Sequence, residues 1–211
     1  MRMIAFVAAL LISSMAIPVC AEELQPDCEQ SSDYQLKVRG CTRYIETHPE
    51  TSETAWAYTR RGIAYNNLNK YAEAYRDQKD AVRIAPQPAI RLNYAALVLD
   101  MIEYDAENTG KVVSHQMAID AVNTALVTVI DGKKLSSYGR YVAYYQRGRA
   151  YLGLQKYEDA IGDLTSAIKL QPKKAWSYKR RGQAYDGIGQ TKKAAADYAK
   201  ARALDPSIGA N

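Results

Sequence analysis

Three segments of the chain repeat one another at a spacing of 34 residues. The clearest two end at Pro172 and Pro206, and Gly148 in one aligns with Gly182 in the other. The third copy precedes them and ends at Pro86. Each copy divides into two stretches whose apolar or small residues recur three and four positions apart, as on one face of a helix. Such helix pairs bury their apolar faces only by stacking, so the period predicts an all-α solenoid of stacked antiparallel helix pairs.

The recurring positions resemble those of the tetratricopeptide-repeat family, whose motif reads W-x2-L-G-x2-Y, then A-x3-F, then P. The glycine, the next tyrosine, the alanine and the proline recur here, whereas tyrosine replaces the tryptophan and arginine replaces the leucine. The replacing residues are Tyr58, Tyr144 and Tyr178 and, three positions later, Arg61, Arg147 and Arg181. The resemblance covers residues 55–88, 141–174 and 175–208, and it implies a protein-interaction module.

In this family the second helix of each repeat crosses close to the glycine of the first helix. A glycine inside a helix costs about 0.5–1 kcal/mol relative to alanine, so close approach of two backbones gives it a structural reason. The resemblance therefore implies that a small residue of the second helix meets each glycine. The implied pairs are Gly62 with Ala74, Gly148 with Ala160, and Gly182 with Ala194.

The repeat pattern is weaker at two places. Residues 89–140 keep Leu92, Ala96 and Leu99 near first-helix positions, and a second helix is predicted over residues 116–130. We interpret this segment as a degenerate repeat with an inserted loop near residues 104–115. The loop is interpreted as tolerated variation, with a binding role as the alternative. Residues 22–50 are interpreted as an N-terminal cap or half repeat, because Tyr34, Cys41 and Pro49 keep the spacing of Tyr157, Leu164 and Pro172.

The first 21 residues have the features of a secretory signal peptide. A positive start at Arg2 precedes an almost wholly apolar run over residues 4–17, and small residues follow it up to Ala21. The run is shorter than the roughly 20 residues that cross a bilayer. We therefore expect residues 1–21 to be removed and the mature chain to be exported, to the periplasm or outside the cell. No stable membrane span is expected after cleavage.

Two features of the mature chain follow from this assignment. The 28 basic and 23 acidic residues leave, once Arg2 is removed, an excess of four positive charges spread along the chain, which does not favour a nucleic-acid partner. Cys28 and Cys41 become the only thiols, and in an oxidising compartment they predict one disulfide, with two buried thiols as the alternative. The family alignment places the two positions face to face, where a disulfide would contribute roughly 3 kcal/mol on the chain-entropy model.

The sequence contains no arrangement of residues that predicts catalysis. Neither His48 nor His115 has a cysteine or histidine at ligand spacing, so no metal is expected. Gly182 and Gly187 have the spacing that opens a phosphate-binding loop, but Ile188 stands where that loop needs a lysine. We expect neither enzymatic activity nor a cofactor.

First helices line the concave surface of tetratricopeptide proteins, and positions i, i+3, i+7 and i+10 share one helix face. The predicted groove residues are Trp56, Thr59, Ile63 and Asn66, then Val142, Tyr145, Arg149 and Leu152, then Trp176, Lys179, Gln183 and Asp186. This aromatic and basic mixture is typical of binding hot spots. Lys and Asn of the family's carboxylate clamp are not reproduced at Thr59, Ile63, Tyr145 and Gln183. Arg149 and Lys179 are nevertheless suited to an acidic side chain or a carboxylate.

The resulting hypothesis is an adaptor of the cell envelope that binds a protein or peptide in its concave groove. One alternative is self-association through the C-terminal helix, because only seven residues follow Leu204 and no further helix covers it. A third hypothesis, an accessory subunit of an envelope enzyme, has no nucleophile and base to support it.

Overall fold

A computed structural model of the chain describes residues 26–29, 32–104, 113–127 and 135–209. The predicted signal peptide and most of the inserted loop lie outside these residues. In the described part of the chain all regular structure is α-helical. Its ten helices are α1 (Pro26–Glu29), α2 (Tyr34–Thr47), α3 (Ser52–Asn67), α4 (Tyr71–Ile84), α5 (Pro88–Tyr104), α6 (His115–Val127), α7 (Ser137–Gly153), α8 (Tyr157–Leu170), α9 (Ala175–Gly187) and α10 (Thr191–Leu204).

The helices form a stack of pairs in chain order. The pairs are α3/α4, α5/α6, α7/α8 and α9/α10, and each packs on the next, so the predicted all-α solenoid is confirmed. Among the described residues, α2 packs on the four-residue α1 and on α3. Side-chain caps mark four helix starts, where Asp33, Thr51, Ser114 and Ser136 accept hydrogen bonds from backbone N–H groups of the first turn.

The turn inside the repeats at 55–88, 141–174 and 175–208 has the same backbone form. Asn69, Gln155 and Gly189 have positive φ angles of 58°, 57° and 72°. The residue after each donates its N–H to the tyrosine carbonyl five positions earlier, at 2.8–2.9 Å. Glycine adopts this conformation without a Cβ penalty, so Gly189 is the residue best suited to the turn that the three repeats share.

The repeat glycines are packed closely, and the side chains nearest to them are large. A Cβ on Gly148 would lie 2.8 Å from Cγ of Leu164, and a Cβ on Gly182 would lie 2.7 Å from Cε1 of Tyr198. The space at each glycine is therefore filled by a large side chain four positions beyond the alanine. At Gly62 a Cβ would lie 3.1 Å from Nε2 of Gln78 and 3.2 Å from the carbonyl oxygen of Ala74, so the backbone of the second helix also comes close there. Ala74, Ala160 and Ala194 are all buried within the stack.

An arginine–aspartate pair joins the two helices of the same three repeats. Arg147 on α7 donates from Nε and Nη2 to both carboxylate oxygens of Asp163 on α8, at 2.7 and 2.9 Å. Its third nitrogen, Nη1, donates to Asn123 on α6, so the same side chain also reaches the preceding pair. The guanidinium lies between the rings of Tyr144 and Tyr151, with 5.8 and 6.0 Å to the ring centroids.

The other two copies reproduce this geometry. Arg61 bonds Asp77 and Thr42, and Arg181 bonds Asp197 and Thr165, with all distances between 2.7 and 3.0 Å. The degenerate repeat has Ala95 and Ala121 at the matching positions, so both members of the pair are replaced together. The arginines that depart from the family motif are thus interior contacts between helices.

A disulfide between Cys28 and Cys41 fastens the N-terminal cap. Their Cα atoms lie 4.6 Å apart, and both side chains are buried with Tyr44 and Ala57. α1 lies so close to α2 that a Cβ on Gly40 would be 2.7 Å from the backbone nitrogen of Cys28. The disulfide thereby holds α1 against the buried side of α2.

Candidate functional site

The first helices form the inner surface of the stack. α3 contacts α5, α5 contacts α7, and α7 contacts α9, whereas no two second helices approach within 8 Å between Cα atoms in the described residues. An array whose first helices lie closer together than its second helices curves toward the first helices. We call the surface formed by α3, α5, α7 and α9 the inner face.

Most predicted groove residues keep some accessible surface, and two of them are large apolar groups. Ile63 is 40% exposed and Trp176 is 45% exposed. The remaining partly exposed members are Trp56, Asn66, Val142, Tyr145, Leu152, Lys179, Gln183 and Asp186. The inner face therefore presents an exposed apolar side chain near each end, with the repeat at 141–174 between them.

Two predicted groove residues need correction because they are buried. Thr59 is 1% exposed, and its hydroxyl donates to the Ala55 carbonyl oxygen at 3.0 Å. Arg149 is 8% exposed and is engaged by acidic residues of α5. Helical spacing places both on the correct face, but packing between neighbouring helices covers them. Neither offers its side chain to a partner in this conformation.

Four charged residues meet at the centre of the inner face, and we call them the charged cluster: Asp100, Glu103, Arg149 and Arg180. Arg149 Nη2 lies 3.0 Å from Asp100 Oδ1 and 3.0 Å from Glu103 Oε1. Arg180 Nη2 donates to the other oxygen of Glu103, Oε2, at 2.8 Å. Since Asp100 and Glu103 belong to α5, the cluster connects three successive first helices.

Burial and the charges of the cluster together shift the pKa values of Arg149, Tyr145 and His115. Burial works against the charge of Arg149, but Glu103 and Asp100 outweigh it and hold the pKa of this guanidinium above its usual value. Burial raises the pKa of Tyr145, and the charges of Arg149 and Arg180 oppose the shift. Burial also lowers the pKa of His115, whose ring occupies the space that a side chain at residue 153 would need.

The two ends of the inner face share a tryptophan–arginine arrangement. The Arg180 guanidinium carbon lies 5.9 Å from the Trp176 ring centroid, and the Lys179 ammonium lies 5.0 Å from it. Arg60 lies 5.9 Å from the Trp56 ring and forms an ion pair with Glu29 of α1 at 3.5 Å. Both ends therefore combine an indole surface with positive charge.

Other predicted groove residues are occupied by internal hydrogen bonds. Asn66 donates to Asp100 at 3.0 Å, beside a surface cavity of about 280 Å³. Asp186 accepts from the Tyr198 hydroxyl at 2.6 Å, which ties it to the second helix of its own repeat. Gln183 accepts a long bond of 3.4 Å from Arg180 Nη1. Of the predicted residues in the last repeat, Trp176 and Lys179 therefore remain the most available to a partner.

Sequence reasoning missed Arg60, Arg180 and Glu103 at this site. The arginines carried a detectable signal, because each stands four residues after a tryptophan at the same repeat position. Glu103 carried none, since it lies in the degenerate repeat and reaches an arginine 77 residues away. In the described residues there is no group of three or more His, Cys, Asp or Glu side chains that could hold a metal ion. The described helices also include none that is long and apolar enough to cross a bilayer.

Comparisons with known proteins agree with this architecture. Family models described as "Tetratricopeptide repeat" match residues 57–88, 141–174 and 177–208. No curated protein matches the sequence. Among solved structures, MamA from Desulfovibrio magneticus RS-1 is 18% identical with a TM-score of 0.64, over 87% of this chain and 92% of that one. A second MamA structure is 20% identical with a TM-score of 0.60, over 83% and 90%.

The structure of YrrB, described as a TPR protein with an unusual peptide-binding site, is 15% identical with a TM-score of 0.56. The match covers 83% of this chain and 79% of that one. At these identities the likeness establishes a shared fold.

Proposed function

Because the chain is a tetratricopeptide-repeat protein, we propose that it is a protein-interaction module that binds a protein or peptide on its inner face. The contact surface in this proposal is Trp176 and Lys179 at one end and Trp56 and Ile63 at the other. We further propose that the protein works in the cell envelope.

The exposed Trp176 ring is the observation that carries the proposal. It is 45% exposed on the inner face and lies beneath the Lys179 ammonium. Tryptophan is among the residues most enriched in binding hot spots, because its large ring gains much from losing contact with water. A half-exposed indole with an adjacent cation suits an apolar side chain that is accompanied by negative charge.

The envelope location is supported by the cysteines and by the N-terminal pattern. Disulfides persist in oxidising compartments, and the Cys28–Cys41 disulfide is buried in the cap. The charged start, short apolar run and small residues over 1–21 support export on separate grounds. Mass spectrometry of alkylated protein from envelope and cytoplasmic fractions tests this. An N-terminus at Glu22 with oxidised cysteines in the envelope is expected, and an uncleaved cytoplasmic protein with free thiols would contradict it.

Self-association through α10 is less well supported by the residues on its outer side. On α8, Tyr157 lies beside Gly187, Thr165 accepts a hydrogen bond from Arg181, and Ile161 packs against the cluster of Ala160, Leu164 and Ala184. The corresponding residues of α10 are Thr191, Ala195 and Ala199, which offer far less apolar area. The chain beyond α10 also returns to its own repeat, where Ile208 is buried against Ala175 and Ala201.

We therefore expect a monomer. A monomeric mass by light scattering at millimolar concentration supports this, whereas a dimer that dissociates after Ala195→Glu would restore the alternative.

Co-purification from a cell-envelope extract tests the binding proposal. The variant Trp176→Ala with Lys179→Glu should lose the partner that the wild type retains. A matched control, Tyr34→Ala with Lys200→Glu, changes an aromatic of similar exposure on α2 and a lysine on α10, both outside the inner face, and should retain it. If both double variants keep every partner, the inner face is not the binding surface.

A further inference from the structure

One carboxylate occupies the centre of the inner face and is shared by two repeats. Glu103 Oε2 accepts from Arg180 Nη2 at 2.8 Å, and Glu103 Oε1 accepts from Arg149 Nε at 3.2 Å. Glu103 lies on α5 and Arg180 on α9, with α7 between these helices. The contact between Glu103 and Arg180 therefore bridges across α7, and we call it the Glu103–Arg180 bridge.

Arg180 retains unused capacity to bind a carboxylate. A guanidinium has five N–H donors in a planar fork that matches a carboxylate. Arg180 gives Glu103 one good hydrogen bond, its bond to Gln183 is long at 3.4 Å, and it also interacts with the Tyr145 side chain. Its Nε is buried and has no hydrogen-bond partner in the described residues. Arg147 and Arg181 each donate two hydrogen bonds to one aspartate, whereas Arg180 donates only one to Glu103.

The bridge can open without breaking the buried part of the charged cluster. The side chains of Arg180 and Glu103 are 20% and 26% exposed, whereas that of Arg149 is 7% exposed. Arg149 would keep its ion pair with Asp100 at 3.0 Å if Glu103 moved away from Arg180. Arg180 and Glu103 share a single hydrogen bond, so a competing carboxylate can replace Glu103 by exchanging one ion pair for another.

We propose that Glu103 is an internal occupant of the inner face that an acidic side chain of the partner displaces. In the bound state the partner carboxylate pairs with Arg180, and an adjacent apolar side chain of the partner packs on Trp176. Charge complementarity selects the acidic partner, because Lys179 and Arg180 flank the Trp176 ring and the neighbouring Gln183 is neutral. This inference rests on the inner face being the binding surface, as proposed above.

Panning of a phage-displayed dodecapeptide library on the wild type and on Glu103→Gln tests the displacement. Selected peptides should be enriched in Asp or Glu next to an apolar residue. Synthetic copies should bind Glu103→Gln about three- to tenfold more tightly than the wild type, because the competing bridge is gone. Adding Arg180→Gln should abolish that gain.

Two matched variants separate displacement from a general change in electrostatic potential. Asp100→Asn removes one negative charge from the charged cluster but leaves the hydrogen bond between Glu103 and Arg180 in place. It should therefore raise the affinity for the peptides much less than Glu103→Gln does. Glu50→Gln breaks the exposed pair between Glu50 and Arg83, which has the same 2.8 Å separation, and should give none. Thermal unfolding followed by circular dichroism checks that each variant is folded.

Several results overturn the proposal. Equal gains for Asp100→Asn and Glu103→Gln would show a general field effect, and peptides without acidic enrichment would remove the predicted partner chemistry. A dimeric mass of Glu103→Gln would make a second copy of the chain the occupant. Peptides that depend on Trp176 but not on Glu103 or Arg180 would leave the proposed function standing without displacement. If no selected peptide depends on Trp176, the proposed function fails as well.

Discussion

Removal of one member of an arginine–aspartate pair should destabilise the protein more than removal of both. Asp163→Ala deletes two charge-assisted hydrogen bonds of 2.7 and 2.9 Å and leaves the Arg147 guanidinium, with 21% of its side chain exposed, without its counter-ion. Removing one partner of a fully buried pair costs about 3–5 kcal/mol, and the partial exposure here reduces the expected loss to about 2–3 kcal/mol. The double variant Arg147→Ala with Asp163→Ala removes the stranded charge too and should lose only about 1–2 kcal/mol.

The natural degenerate repeat supports this expectation, since Ala95 and Ala121 occupy the same two positions and are buried. Urea unfolding followed by far-UV circular dichroism measures the double-mutant cycle, with the single variants Arg147→Ala and Asp163→Ala as its other corners. The exposed pair Arg83–Glu50 is the control, and its removal should leave the midpoint unchanged. Additive losses at Arg147 and Asp163 would refute the reasoning, because they would mean that the two side chains do not stabilise each other.

Three further predictions concern packing, the cap and pH. Gly182→Ala should lower the free energy of unfolding by about 1–2 kcal/mol, because its Cβ would lie 2.7 Å from the Tyr198 ring. Gly162→Ala has open space around it and should raise the free energy of unfolding by about 0.5–1 kcal/mol. Changes of the same sign for the two variants in urea unfolding would contradict this. Reduction of the Cys28–Cys41 disulfide should cost roughly 3 kcal/mol, and unchanged thermal unfolding in reductant would contradict this. Burial lowers the pKa of His115 below that in the unfolded chain, so protonation favours unfolding and stability should fall as the pH drops below about 6.5; His115→Gln should lose that part of the pH dependence.

The stacked-helix architecture could be predicted from the sequence because the 34-residue period recurs along the chain. Each repeat must present the same faces to its neighbours, so one aligned glycine, Gly182, locates the helices and the exposed Trp176 in the last repeat. The same alignment places Cys28 opposite Cys41 at the truncated end, where the structure has a disulfide. The aspartate partners were detectable too, since each stands sixteen residues after its arginine in three copies.

The burial of the inner face did not follow from helical spacing. Spacing assigns Thr59 and Arg149 to a face, but the distance between neighbouring first helices decides whether that face is open. Glu103 covers Arg149 from a helix whose repeat lacks the family motif, and Arg180 reaches it across α7. Such contacts depend on the curvature of the stack and on side-chain rotamers, which no periodic pattern encodes. The motif also names only the alanine of the second helix, whereas the side chain nearest each glycine varies among Gln78, Leu164 and Tyr198.

Site-specific photocrosslinking in the living cell tests the central claim most directly. A photoreactive phenylalanine analogue replaces Ile63 or Trp176 on the inner face, or the exposed Ala203 on α10 as a control. The account predicts that positions 63 and 176 crosslink the same envelope protein and that position 203 does not. Crosslinking from position 203 with none from positions 63 and 176 would contradict it.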